Sequence, residues 1–104
     1  MNQEKPAYFI FDVKIHDPEG MKPYGENVEA TYKRFGGRRI VFNNQVMTWD
    51  GASPQGHLII LKFDDIEQAK AWHNSPEYQE IIQYRHAFTN TNAWLVEGVF
   101  PEFE

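Results

Sequence analysis

The sequence predicts an α+β domain in which one antiparallel sheet carries its helices on a single face. Three observations lead there. Four segments have strand character, two stretches of helical periodicity separate them in the order strand, helix, strand, strand, helix, strand, and each strand-helix-strand unit calls for a right-handed crossover. The third is length: 104 residues make one domain, 1–104, with an ordered core over about residues 7–100 and no room for a second unit.

In chain order, Met1 to Pro6 is polar and expected to fray. Ala7 to Ile15 reads as a strand, with Phe9, Phe11, Val13 and Ile15 on one face and Tyr8, Ile10, Asp12 and Lys14 on the other. Tyr24, Val28, Thr31, Tyr32 and Phe35 recur at helical spacing up to a Gly36-Gly37 stop. Gly20 and Pro23 disfavour a helix starting at Asp17, so Asp17 to Lys22 is read as an irregular turn with the helix starting at Pro23. Arg38 to Asn43 is the second strand, Gln45 to Trp49 a short strand or arm, and Asp50 to Gly56 a loop. His57 to Phe63 contains the unbroken run Leu58 to Leu61, the pattern of a central strand covered on both faces.

The stretch Phe63 to Tyr78 carries the most local information. Asp64 and Glu67 have capping-box spacing and predict a helix from Asp65, with Ile66, Ala69 and Trp72 or His73 on its buried side. Asn74-Ser75-Pro76 ends that helix and starts another to about His86, with Ser75 as N-cap, Pro76 in the first turn and Glu77 near the positive end of the macrodipole. Thr89 to Asn92 reads as a polar connection, Ala93 to Val99 as the last strand, and Phe100 and Phe103 as a tail that docks on a neighbour or stays in solvent. The arrangement is a ferredoxin-like βαββαβ sandwich.

Composition narrows the partners. A net charge of −5, from 15 acidic and 10 basic residues, argues against nucleic acid and anionic membrane. The absence of cysteine excludes disulfides and thiolate sites and suits a reducing cytoplasm, the expected location. No apolar run of signal or membrane-spanning length opens the chain, since Asp12 interrupts Ala7 to Phe11. Helices on one face leave Tyr8, Ile10, Leu58 or Ile60, and Leu95 on the other, and a second copy of the chain is the economical cover.

The combination Tyr24, Phe35-Gly36-Gly37-Arg38, Asp50-Gly51, Phe63, Ala69, Trp72, Ser75-Pro76-Glu77-Tyr78, Arg85 and Val96-Glu97-Gly98 resembles the domain of unknown function 1330 (DUF1330) family across nearly the whole chain. AWHNSPEYQ is the specific part. The resemblance implies a homodimeric α/β barrel within a superfamily of quinol-forming monooxygenases, haem-degrading enzymes, muconolactone isomerase-like proteins and dye-decolourising peroxidase relatives. It attaches no activity to named residues. Gly20 and Pro23 depart from the family's smooth first helix.

Strand parity puts Asp12 and Lys14 on the face away from Phe9, groups Lys62 with Leu58 and Ile60, and groups Glu97 with Leu95. Asp12 or Glu97 in a dry cleft would serve as a general base; the alternative is a ladder of cross-strand ion pairs. Tyr24, Trp72 and Tyr78 are candidate walls of a small-molecule site, with Arg38 and Arg85 as anion holders; the alternative is core packing and a structural clamp. His16, His57, His73 and His86 lack metal-ligand spacing, no glycine loop cradles phosphate, and Ser53 and Ser75 have no nucleophile elbow, so neither metal nor cofactor is expected. The functional expectation is a small-molecule binder that extends to a cofactor-free monooxygenase or isomerase-like enzyme. Its rival is a binding or assembly module without activity.

Overall fold

The computed structural model describes residues 4–103. Of the start expected to fray, residues 1–3 lie outside the described residues, as does the side chain of Phe103 in the expected tail. The elements are β1 (Ala7–Ile15), α1 (Lys22–Lys33), β2 (Arg38–Asn43), β3 (His57–Phe63), α2 (Ile66–His73), α3 (Pro76–Phe88) and β4 (Thr89–Glu97), followed by a 3-10 turn at Pro101–Phe103. The sheet order is β2-β3-β1-β4, with every neighbouring pair antiparallel. This is the ferredoxin-like arrangement, with β3 and β1 central. The slab measures 46 × 38 × 15 Å, thin enough that the helices cover one sheet face only. Among the described residues no helix is long and apolar enough to cross a membrane.

The core lies between sheet and helices. Phe9, Phe11, Val13, Leu61 and Phe63 project from the sheet onto Ala69 and Trp72 of α2 and onto Tyr78, Ile81 and Ile82 of α3. Trp72 is fully buried, its Nε1 donating to Thr31 Oγ1 at 3.0 Å, with rings of Phe9, Phe63 and Tyr78 packed around it. Ser75 caps α3 as its sequence requires: its Oγ accepts from Tyr78 N and donates to the Trp72 carbonyl, tying the end of α2 to the start of α3. Gly37 is needed for packing, since a Cβ there would lie 2.7 Å from the Phe63 ring.

Several local expectations shift. The first helix starts at Lys22, after a turn in which Asp17 Oδ1 accepts from Gly20 N. The cap of α2 is Asp65, not Asp64: Asp65 Oδ1 accepts from Gln68 N at 2.8 Å, the same spacing displaced by one residue. The segment Thr89 to Asn92 is not a connection. It pairs with Ile15 to Asp12, so β4 leaves α3 without a loop, and its polar side chains reflect an edge strand open to water. Pro6 is buried and its carbonyl accepts from Gly98 N at 2.8 Å, which pins the chain one residue before β1. Gln45 to Trp49 forms an arm without strand pairing.

Register corrects one member of the open face. Leu95 stands opposite Phe9 and therefore on the helix side, whereas Trp94 and Val96, opposite Ile10 and Tyr8, join Ile60 on the bare side. Trp94 is 52% and Val96 48% exposed in the single chain.

Candidate functional site

Between α1 and the sheet the core is not filled. A cavity of about 270 Å3 opens there, walled by Phe11, Val13, Ile59 and Leu61 from the sheet and by Tyr24 and Val28 from α1. Phe42 and Arg39 of β2, His57 of β3 and Arg85 of α3 complete the wall that carries the chemistry.

A bulge in β2 creates part of that wall. Arg39 stands opposite Leu61 and Val41 opposite Ile60, which leaves Ile40 as an extra residue. The insertion resets the alternation, so that Arg39 and Phe42, three apart, both face the cavity, with the Arg39 guanidinium 4.4 Å from the Phe42 ring centre. Regular alternation would have turned Phe42 away. Arg38, the expected anion holder, stands opposite Lys62 on the bare side and is exposed.

Arg85 lies on the buried stripe of α3 with Tyr78, Ile81 and Ile82, and only 5% of it is exposed. Its guanidinium carbon is 5.4 Å from the centre of the Phe11 ring, and its Nε is buried without a hydrogen-bond partner. Beside it, the hydroxyls of Tyr24 and Tyr78 are 2.8 Å apart. Burial, followed by the neighbouring Tyr78 hydroxyl, pushes the Tyr24 pKa well above the usual phenol value despite the opposing charge of Arg85, so Tyr24 stays a neutral hydroxyl. Tyr78 is itself fully buried and meets the cavity through Tyr24, and Trp72 packs behind the wall as core.

The two expected bases stand elsewhere. Asp12 is on the bare face and buried, but Gln55 N donates to its Oδ2 at 2.8 Å and Gly56 N to its Oδ1 at 2.9 Å. Its carboxylate thus anchors the loop that returns to β3. Glu97 pairs with Ala7 at the far end of β1, on the helix side, and is exposed. Neither borders the cavity, and among the described residues no Asp or Glu does. His57, half-buried and stacked on Phe42 at 5.4 Å between ring centres, supplies the imidazole of the wall. Sequence parity held a signal for it: His57 falls two and four residues before Ile59 and Leu61, on the same face. Among the described residues no three His, Asp or Glu side chains gather as metal ligands would.

Solved structures share this fold. A protein of unknown function from Rhodopseudomonas palustris superposes with a TM-score of 0.75 at 17% identity, covering 95% of this chain and 86% of that one. SnoaB, a cofactor-independent oxygenase from Streptomyces nogalater, gives 0.62 at 11% identity over 91% and 94% of the two chains. An uncharacterised NIPSNAP domain protein from Burkholderia xenovorans gives 0.56 at 12% identity over 91% and 94%. No curated protein sequence matches the chain. The profile of the domain of unknown function DUF1330 matches residues 6–99, nearly the whole chain and every strand and helix from β1 to β4, and the protein belongs to that family.

Proposed function

We propose that the protein binds a small, largely apolar organic molecule between α1 and the sheet and carries out proton transfer on it without a bound cofactor. The observation that carries this reading is the unfilled apolar cavity, bordered by Arg85, Tyr24 and His57, in an otherwise packed two-layer domain. Proton transfer falls to His57 rather than to Asp12 or Glu97, because His57 alone of the three is on the cavity wall and an imidazole nitrogen can take up and return a proton. A ring nitrogen of His57 takes a proton from an acidic C–H of the ligand, and the oxyanion of the resulting enolate is held by Arg39, whose guanidinium packs on the Phe42 ring beside His57. Return of that proton to another carbon gives an isomer and needs no co-reactant. Addition of dioxygen to the carbanion, followed by protonation, gives a hydroperoxide, a route in keeping with the fold shared with a cofactor-independent oxygenase.

The test is exchange of the α-protons of 2-tetralone in D2O, followed by NMR. The expected result is exchange faster than in buffer, lost in His57→Gln. Binding of 2-tetralone without faster exchange would favour the second reading, a binding module without turnover, which the absence of a carboxylate from the wall supports.

The bare sheet face belongs to the same proposal. Tyr8, Ile10, Ile60, Trp94 and Val96 form one apolar surface, and at about 25 cal/mol per Å2 its burial is worth several kcal/mol. We propose that a second copy covers it, sheet against sheet, giving a two-fold dimer.

A further inference from the structure

The cavity carries more hydrogen-bond donors and positive charge than the chain itself uses. Arg85 is buried, its Nε has no partner, and none of the three ion pairs among the described residues, Lys22–Glu19, Lys33–Glu29 and Arg34–Glu77, involves it. A buried cation without a carboxylate is costly, and the ring of Phe11 offsets only part of that cost. The tyrosine pair has the same imbalance. Tyr24 and Tyr78 have two hydroxyl protons and one hydrogen bond between them. Since Tyr78 is fully buried, the arrangement that strands no proton has Tyr78 donating to Tyr24, which frees the Tyr24 hydroxyl hydrogen on the cavity side. The cavity therefore presents an O–H and a guanidinium at one end, a second guanidinium, Arg39, on its β2 wall, and no acid among the described residues. It does so in a chain with a net charge of −5.

We infer that the ligand class is an apolar organic carboxylate, its ring body among Phe11, Val28, Phe42 and Ile59 and its carboxylate held by Arg85 and the Tyr24 hydroxyl. The inference rests on the cavity reading above and adds the charge. Arg39, exposed on the wall, draws the anion in and faces any second acceptor on its rim.

Calorimetric titration with 1-naphthoate and with 1-naphthamide, equal in shape and different in charge, tests it. Wild type is expected to bind 1-naphthoate at least tenfold more tightly than 1-naphthamide. Arg85→Gln should bring the two to similar affinity while keeping 1-naphthamide binding, and Arg85→Met should not lower the melting temperature, because it removes an unpaired buried charge. A structural clamp would behave in the opposite way, with melting temperature lost in Arg85→Met. Should either variant fail to fold, the salt dependence of the wild type decides: 1-naphthoate affinity falls with added chloride and 1-naphthamide affinity does not. Equal binding of the two probes, unaltered in Arg85→Gln or equally insensitive to salt, overturns the carboxylate assignment and leaves the apolar site standing. Binding of neither probe overturns both.

Discussion

Arg85 occupies a position on α3 where the stripe Tyr78, Ile81, Ile82 calls for an apolar side chain, and that exception is visible in the sequence. What the sequence does not carry is the absence of an acid beside it, a fact of three-dimensional neighbours. Asp12 illustrates the same limit: alternation assigns it to the correct face, yet its partners are amides 43 and 44 residues away, which no local pattern reveals. His73 offers a test at this scale. It stacks on Phe9 at 5.6 Å, and burial first, then the positive charges of Arg85 and His86, hold its pKa below the usual imidazole value. The unfolded chain therefore accepts a proton that the folded chain resists. Stability from neutral His73 is full above the ordinary pKa of about 6.5 and is lost as pH falls through it toward the depressed folded value. Melting curves from pH 7.5 to 5 should show this decline in wild type and a shallower one in His73→Phe; an identical decline in the variant would assign it to another group.

Helix signals were the most legible part of the elements. Ser75-Pro76 marks the start of α3 because capping chemistry is local, and the Asp65 cap missed its predicted place by only one residue. The β2 bulge and the start of β4 were not legible, since both depend on which residue of a partner strand stands opposite. The bulge decides the site by bringing Phe42 to the same side as Arg39, while ordinary alternation leaves Arg38 outside. The hinge between the arm and β3 has its own constraint. A Cβ on Gly56 would lie 2.0 Å from the Val13 carbonyl oxygen, whereas Gly51, at φ 76°, has open space around it. Gly56→Ala should therefore cost about 3 kcal/mol or more in urea unfolding, by displacing β1 from β3 and pulling the Gln55 and Gly56 amides from Asp12. Gly51→Ala should cost only about 1–2 kcal/mol, for the left-handed backbone alone. Equal losses would mean that contact with β1 does not constrain the hinge.

For the molecule as a whole, the two sheet faces divide the work. The helix side encloses a core and a cavity, and the other side presents an apolar surface that one chain leaves half in water. Fold class and the central place of β3 followed from the alternation of Phe9, Phe11 and Val13 and from the apolar run Leu58 to Leu61, because burial patterns are written residue by residue. The cavity did not, because it is defined by what fails to fill it. Several large apolar side chains left exposed on the bare side would forfeit several kcal/mol, comparable with the whole stability of a domain of this size. Light scattering on the purified chain at micromolar concentration tests this division most directly. It should give twice the 12.2 kDa chain mass, falling to a single chain when Ile10→Asp puts a charge in the middle of the bare face; a 12.2 kDa species in the wild type would contradict it.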